Sequence, residues 1–359
     1  MKKIFVSVLI SSFFIIYFGC ERENVVNSVV HTTKGVYVLY EGDFTPGSGD
    51  YSFINTNNDS VANSVFSNSN NGAALGLFPD GIFLYLQNLY ISTQGSYGGH
   101  GRMVNISRST NKLLDTSAAF GISPYNFDLA NNNFYVTNFA GSTVTKLSQT
   151  LDIIRDGIQV GPSPSEIIHA LRSSYISKKS YTTENTLAII DEFTDLVTKD
   201  TFPAPPVSAA DMFGNVHVST YSWKKLYVLD SFNVSKKVDS IAITINQPAI
   251  GEIVSDGSQT LYIVGVSDTS FQSNIGNKLY KYNALTRQLD PNPIIQLSSP
   301  NDIYGIAYDQ LNNLIYIANS KGGSINGEVL VYNTNGTLIK TYPIGGKYPR
   351  KFVFYYENS

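Results

Sequence analysis

Residues 132–147 read NNFYVTNFAGSTVTKL. Turn-forming residues precede a run in which apolar and polar residues alternate, a short polar gap follows, and a second alternating run ends at Leu147. Alternation with a period of two is typical of β-strands that bury one face, and a short gap joins two such strands into a hairpin. The stretch therefore predicts a single β-hairpin.

The first strand of this hairpin has six counterparts elsewhere in the chain. Aligned on Tyr135, their central residues are Tyr37, Tyr90, Tyr175, His217, Tyr262 and Tyr316. Successive centres lie 40 to 54 residues apart. This spacing is close to that of four-stranded propeller blades, which run to about 40–50 residues.

A proline before each centre provides a second repeat. Four prolines lie 11 residues before their centres, and two more lie 14 and 16 before theirs: Pro79, Pro124, Pro164, Pro206, Pro248 and Pro300. A seventh, Pro349, opens the segment YPRKFVFYY at 348–356, which has no hairpin after it. The hairpin without a preceding strand is at the other end, in GVYVLYEG at 35–42.

The repeated strand centres and the repeated prolines together predict an all-β fold. We expect a seven-bladed β-propeller of four-stranded blades over residues 35–359. Blade 1 is closed by the N- and C-terminal strands, so that the terminal edges are paired. A single blade cannot bury both of its faces, and stability comes from stacking on its neighbours. We therefore expect one propeller and not two domains.

Composition agrees with a β fold and excludes some partners. The 359 residues include 24 Tyr, 20 Phe and 28 Gly, and only 15% are charged. The formal net charge is −3, and Lys and Arg are scattered. Without a basic cluster, neither nucleic acid nor direct binding to an anionic membrane surface is expected.

The N-terminus predicts export. Lys2 and Lys3 precede an apolar run from Ile4 to Phe18 that is short for a membrane span and typical of a signal peptide. Cys20, the only cysteine, follows directly, as in a bacterial lipobox, although Tyr17 and Phe18 replace the usual Leu-like and small residues. We predict a lipoprotein signal peptide at 1–19, and a lipidated Cys20 with a tether at 20–34.

The anchored protein would be an outer-membrane lipoprotein that faces the periplasm or the cell surface. Two alternatives stay open at this point. They are a cleaved secretory signal followed by an incidental cysteine, and an uncleaved anchor; both also export the chain.

The repeats resemble those of a known group. The start YVLYEGDF, the hairpin FYVTNFAGSTVTKL and strand openings such as GPSPSEI resemble the YncE-like, surface-layer-type seven-bladed propeller lipoproteins of Bacteroidota-type bacteria. The resemblance covers about 35–356 and implies the propeller fold. It also implies surface binding of nutrients, as some members do. If the protein takes part in nutrient uptake, we expect an outer-membrane transporter as its partner. Other seven-bladed relatives include lactonases and metal-assisted hydrolases.

Ligand-binding residues are expected on the top face, where the loops from the second to the third strand of each blade emerge. Six of the seven loops carry an aromatic residue, and one also carries a histidine. The predicted contacts are Phe44, Tyr97, His100, Phe139, Tyr181, Tyr221, Trp223 and Phe271. Such rings could stack on a sugar, a nucleobase or another flat ligand; the alternative is that they pack between blades.

A second predicted set lies at the channel mouth. Polar residues two positions after the proline comprise Asn126, Glu166, Asp302 and Lys351. They could hold a water cluster, a metal ion or a polar ligand, or simply line a hydrated channel. In the enzyme alternative, Glu166 and Asp302 hold a divalent ion.

Motifs for catalysis are weak. The four histidines lack zinc-site spacing, His217 occupies a core position, and no Gly-x-Ser-x-Gly elbow is present. No cofactor is predicted; calcium is kept as an alternative because Asp43 and Asp50 offer hard oxygen ligands. The leading hypothesis is a non-catalytic protein that binds a small molecule, glycan or protein; the alternatives are a lactonase-like hydrolase and a surface scaffold.

Overall fold

The computed structural model describes residues 31–179, 182–212, 214–230, 232–233, 237–267 and 275–358. Within these ranges the strands form seven antiparallel sheets. We call each sheet a blade and letter its strands A to D from the channel outwards. The predicted signal peptide and Cys20 lie outside the described residues.

Blades 1 to 3 each contain four strands, here given in the order A to D. Blade 1 comprises Pro349–Asn358, His31–Tyr40, Asp50–Asn55 and Ser60–Ala62. Blade 2 comprises Leu77–Tyr85, Asn88–Gln94, Gly101–Ser107 and Leu113–Thr116. Blade 3 comprises Pro124–Ala130, Asn133–Asn138, Thr143–Ser148 and Ile153–Gln159.

The remaining blades follow the same order. Blade 4 comprises Pro164–Ala170, Ser173–Lys178, Thr186–Asp191 and Val197–Thr201. Blade 5 comprises Pro206–Met212, Asn215–Thr220, Lys225–Asp230 and Lys237–Ala242. Blade 6 comprises Ala249–Ser255, Thr260–Val266, Gly276–Asn283 and Gln288–Leu289, and Ile295–Gln296 also pairs with its strand C. Blade 7 comprises Gly305–Asp309, Leu314–Asn319, Glu328–Asn333 and Leu338–Pro343.

Blade 1 is built from both ends of the chain, which confirms the predicted closure. Its strand A pairs antiparallel with strand B from His31↔Asn358 to Tyr40↔Pro349. Strand B starts at His31, so the last residues of the segment interpreted as a tether belong to the sheet. The seven A strands contact one another in sequence around the channel. The seven-bladed propeller is therefore a closed ring.

The hydrophobic core consists of layers between adjacent blades. The repeated central residues of the B strands are buried, with Tyr135 and Tyr175 0% exposed and His217 5% exposed. One layer joins blades 2 and 3 through Tyr90, Phe127 and Phe134. The repeated tyrosines thus fix the spacing of the blades. His217 has a core position, and burial lowers its pKa to about 4.

In the described ranges, two short helices interrupt the strands. A five-residue α-helix, Val65–Ser69, follows strand D of blade 1, and a 3₁₀ turn, Lys321–Gly323, follows strand B of blade 7. The buried Asp50 carboxylate accepts hydrogen bonds from the backbone N–H groups of Phe66 and Ser67, both at 2.9 Å. Its oxygens satisfy helix donors that would otherwise be unpaired.

Candidate functional site

The ring brings charged residues from four blades together at the top of the channel. Arg350 forms ion pairs with Glu41 at 2.8 Å and Glu166 at 3.2 Å, and lies 3.8 Å from Asp80. Lys351 pairs with Glu166 at 2.7 Å and Glu252 at 3.5 Å. These side chains are largely withdrawn from solvent. Such a cluster persists only where each charge has partners, because burying an unpaired charge is costly.

Burial changes the protonation of this cluster. It raises the pKa of Asp80 well above its usual range, and the neighbouring Glu41 raises it further. Burial also raises the pKa of Glu252 to about 7, although Lys351 opposes the shift. For Lys351, burial is outweighed by Glu166 and Glu252, so that its pKa is raised. These shifts favour the protonated form of Asp80 and the charged form of Lys351.

A cavity of about 310 Å³ lies beside this cluster. Its polar lining comprises Glu41, Asp80, Gln94, Ser123, Lys179 and Arg350, and its aromatic lining comprises Phe78, Tyr97, Tyr125, Phe139 and Tyr304. These residues come from the starts of the A strands and from the ends of the B strands. Blades 1 to 3 supply most of the walls from the top-face ends of both strands, and blades 4 and 7 add Lys179 and Tyr304.

Tyr125 links the charged and aromatic parts of the cavity. Its hydroxyl accepts a hydrogen bond from the Lys179 ammonium. The Lys179 Nζ lies 3.9 Å and the Arg350 guanidinium carbon 4.6 Å from the centre of its ring. Both are cation–π distances. Burial lowers the pKa of Lys179, and Asp80 and Glu166 partly oppose this shift.

A row of neighbouring rings runs along one side of the cavity, and three of them, Tyr97, Phe78 and Tyr304, line it. Ring centres are separated by 5.8 Å between Tyr97 and Phe78, 5.2 Å between Phe78 and Phe44, and 4.7 Å between Phe44 and Tyr348. Tyr348 lies 5.3 Å from Tyr304, whose hydroxyl donates to Glu41 at 3.0 Å. We call these five rings the aromatic wall. Two of these contacts are stacked and two are tilted, and all of them are made within the protein itself.

Three residues of the aromatic wall have left-handed backbone. The φ angles of Phe44, Phe78 and Tyr348 are 65°, 47° and 54°. Positive φ is uncommon for bulky residues, and such strain concentrates at functional sites. At the position before the A-strand proline, Ser123 and Ser163 have the same conformation with φ of 52°. The left-handed backbone before the proline therefore recurs in several blades. Blades 2 and 1 carry an aromatic residue at this position, Phe78 and Tyr348.

The structure brings three of the predicted top-face residues near the cavity. Phe44 and Tyr97 belong to the aromatic wall, and the Phe139 ring lies 6.4 Å from that of Tyr125. Tyr97 is 85% exposed, so it stands at the open edge of the site. His100 is exposed, and its Nδ1 lies 2.7 Å from the carbonyl oxygen of Gly121.

The other predicted aromatic residues lie elsewhere. Tyr221 is buried between blades 5 and 6, where it packs with Val207, Ala249 and Val266. Trp223 is 56% exposed and does not line the cavity. Tyr181 and Phe271 lie outside the described residues.

Three of the four predicted channel-mouth residues meet. Asn126 donates to Glu166 at 2.5 Å, and Lys351 donates to the same carboxylate at 2.7 Å. Asp302 is apart from them and accepts hydrogen bonds from the backbone N–H and hydroxyl of Ser320. Pro300 does not begin the A strand in blade 7, which starts at Gly305, so the residue two positions after it is displaced.

Other residues of the site were not predicted. They are Glu41, Asp80, Tyr125, Lys179, Glu252, Tyr304 and Arg350. The repeat does contain a signal for five of them. Glu41 and Lys179 are each the fourth residue after a B-strand centre, and Asp80, Tyr125 and Arg350 each directly follow an A-strand proline. In blades 1 to 4 at least one of these two positions lines the top of the channel, whereas in blade 5 both are occupied by core residues, Val207 and Tyr221.

Neither a metal cluster nor a membrane helix is found in the part of the chain that the structure describes. No three His, Cys, Asp or Glu side chains there are placed to hold a metal ion. Of the two residues considered for calcium, Asp50 caps the short helix and the exposed Asp43 accepts a hydrogen bond from the Thr45 hydroxyl at 2.5 Å. No helix in the described ranges has the length and apolarity needed to cross a bilayer.

Comparisons with known proteins identify the fold and a family. A quinonprotein alcohol dehydrogenase-like protein from Bacteroides thetaiotaomicron superposes with a TM-score of 0.64 at 15% identity, over 90% of this chain and 78% of that one. The periplasmic gluconolactonase of Pseudomonas aeruginosa superposes with a TM-score of 0.64 at 12% identity, over 89% of this chain and 99% of that one. At these identities the likeness shows the fold alone. No curated protein matches the sequence. The model of a family described as a domain of unknown function, DUF5074, matches residues 34–355, and the chain therefore belongs to the DUF5074 family.

Proposed function

We propose that this chain is an exported, lipid-anchored propeller that binds a small ring-containing ligand in the top-face cavity without chemical turnover. In this proposal Cys20 carries the lipid, and the protein is a member of the YncE-like, surface-layer-type group of binding propellers. It captures its ligand at the outer membrane and passes it to a transporter.

The preformed cavity carries the proposal. At about 310 Å³ it lies at the lower end of the range for small-molecule sites. It combines an aromatic wall with a few fixed polar groups, as ligand pockets do, and aromatic faces suit sugar rings and flat heterocycles. Stacking and buried ion pairs hold these groups before any ligand arrives, which lowers the entropic cost of binding.

Ligand screening tests the proposal directly. The mature chain would be screened by thermal shift against sugars, sugar acids, aromatic acids, nucleobases, corrinoids and divalent metals, because a ligand of the native state raises the melting temperature by mass action. Hits would be measured by calorimetry in Tyr97→Ala and in Phe232→Ala. Both side chains are more than 80% exposed, at 85% and 81%, but only Tyr97 lines the cavity.

The two variants have distinct expected results. Tyr97→Ala weakens binding and leaves the melting temperature of the free protein unchanged, whereas Phe232→Ala changes neither. A panel without hits, or hits that Tyr97→Ala does not weaken, would count against this cavity and favour the scaffold alternative.

Lactone hydrolysis is a second candidate function. A buried carboxylic acid with a raised pKa, Asp80, and an amine with a lowered pKa, Lys179, line one cavity, and perturbed acid–base groups cluster at active sites. One fold neighbour is itself a gluconolactonase. Steady-state hydrolysis of sugar lactones that is lost in Asp80→Asn would replace the non-catalytic proposal with this one.

A further inference from the structure

Among the charged cavity residues that the structure describes, one cation has no carboxylate partner. The Arg350 guanidinium donates to Glu41 at 2.8 Å and to Glu166 at 3.2 Å. By contrast, among the described residues no carboxylate lies within ion-pair distance of Lys179. The Lys179 ammonium donates instead to the neutral Tyr125 hydroxyl. An ammonium group has three donors, so Lys179 has further capacity to donate into the cavity.

The acidic groups cannot supply that partner without moving. Glu41 already accepts from Arg350 and from the Tyr304 hydroxyl at 3.0 Å. Asp80 lies beside Glu41 and is 3% exposed, and burial together with the Glu41 charge raises the pKa of Asp80, which favours its neutral form. The Glu41–Asp80 pair then carries a single negative charge, which Arg350 offsets. The cavity lining has a net charge of about +1 as long as Lys179 is protonated.

We infer that the ligand of this cavity is a ring-containing monocarboxylate, whose carboxylate pairs with Lys179 and the Tyr125 hydroxyl while its ring packs against Phe78 and Phe139. This inference rests on the proposed ligand-binding function and names the ligand class for it. One negative charge would neutralise the lining. A dianion such as a phosphate monoester would place an extra charge beside Glu41 and Asp80, at an electrostatic cost.

Matched probes test the charge requirement in the unmodified protein. Calorimetry would compare benzoate and cyclohexanecarboxylate with benzamide, cyclohexanecarboxamide and phenyl phosphate, which keep the ring and change the head group. We expect each carboxylate to bind about 10- to 100-fold more tightly than its amide, as charge-assisted hydrogen bonds are stronger than neutral ones. Phenyl phosphate should bind more weakly than benzoate.

Lysine variants test the residue. Lys179→Met should abolish the preference for carboxylate over amide, and Lys179→Arg should restore part of it. Lys347→Met is the matched control, because Lys347 precedes Tyr348 on the same face but does not line the cavity. The preference of the Lys347→Met variant for carboxylate over amide should stay within about 2-fold of that of the wild type. Circular dichroism would confirm that each variant is folded.

The outcomes separate this inference from the proposed function. Equal binding of acid and amide, or a preference that survives Lys179→Met, would overturn the monocarboxylate assignment. If Tyr97→Ala still weakened binding, the cavity would remain the binding site. Absence of binding by every ring probe and every member of the screening panel would overturn both.

Discussion

At the scale of single residues, the site depends on Arg350. This side chain bridges carboxylates from three blades, Glu41, Asp80 and Glu166, although its own solvent exposure is only 16%. A guanidinium group can serve several carboxylates because it presents a planar array of donors. Arg350 therefore acts as the electrostatic centre of the channel mouth.

Replacing Arg350 should strongly destabilise the protein. Arg350→Met leaves buried carboxylates without their cation, and the loss of one member of a buried ion pair costs about 3–5 kcal/mol. Urea unfolding would measure the change. The control is Arg172→Met, which removes an ion pair with Asp191 whose arginine is 60% exposed and should cost less than about 1 kcal/mol. Equal losses in the two variants would contradict this role.

Glu252 should make stability fall as pH rises. Its pKa is about 7 in the folded protein and about 4.5 in the unfolded chain, so between these values the folded state binds more protons. The free energy of unfolding therefore decreases from about pH 4.5 to about pH 7, by at most about 3 kcal/mol from this group. Glu252→Gln cannot titrate and should remove that part of the decline. Urea unfolding at a series of pH values would measure this. If the free energy of unfolding fell equally with pH in the two proteins, the assignment of this decline to Glu252 would be wrong.

Phe78 should contribute to binding more than to stability. Phe78→Ser introduces the residue that blades 3 and 4 carry at the same position and backbone conformation, so we expect the free energy of unfolding to change by no more than about 1 kcal/mol. Affinity for a ring-containing ligand should fall about 2- to 10-fold, since an aromatic contact contributes about 0.5–1.5 kcal/mol. Leu86→Ser is the control: Leu86 also has positive φ, at 54°, but is 76% exposed outside the cavity. Calorimetry should show that the Leu86→Ser variant binds the ligand with unchanged affinity.

At the scale of strands and blades, the repeat carries most of the information in the sequence. The tyrosine and proline registers predict seven blades because each blade solves the same packing problem, with a buried B-strand centre and an A strand that begins at the channel. The terminal strands were predictable for the same reason. An inner strand without a hairpin and a hairpin without an inner strand complete one blade.

The site was predictable only in part, because its contacts cross the ring. Glu166 meets Lys351 although they are 185 residues apart, and no local pattern states which polar residues of different blades face each other. Residues two positions after the proline did include three members of the cluster. Tyr221 was predicted on the top face and is instead a core residue. Its position in the repeat matches that of Glu41, but it packs between blades 5 and 6. Local spacing gives the strand, whereas packing decides where the side chain goes.

The C-terminal strand should be essential for a folded ring. Deletion of residues 349–359 removes the A strand of blade 1, with Arg350 and Lys351, and leaves the edge of His31–Tyr40 unpaired, which favours aggregation. We expect the truncated protein to elute as aggregates from a sizing column. Deletion of 356–359 keeps the pairs from Gly35↔Tyr355 to Tyr40↔Pro349 and should elute like the full-length chain. A folded, monodisperse 349–359 deletion would show that the ring does not need this strand.

At the scale of the whole molecule, fold and family are established and cellular location is proposed. The chain is a DUF5074 propeller whose closed ring places a small cavity at the top of its channel. Export and lipid attachment rest on the sequence of residues 1–20. Function at a membrane surface depends on that attachment.

Lipid attachment has a direct test. In a bacterial host, the full-length protein should incorporate an alkyne-labelled fatty acid, and Cys20→Ser should not. Fractionation should recover the wild type with the membranes and the Cys20→Ser variant apart from them. Both proteins should show the same melting transition. A second variant, Ser7→Ala, alters the signal region without touching the cysteine and should be labelled normally. Labelling of Cys20→Ser, or none in the wild type, would rule out this anchor.

The direction of strand B in blade 1 determines how an anchored molecule would be oriented. The strand starts at His31, where the chain enters the sheet, and ends at Tyr40, next to the cavity residue Glu41. Ten residues of extended chain span about 30 Å, so the point of attachment and the cavity lie at opposite ends of the blade. With lipid on Cys20, the cavity would open away from the bilayer and towards incoming solutes. A transporter that receives the ligand would have to reach over the far side of the ring.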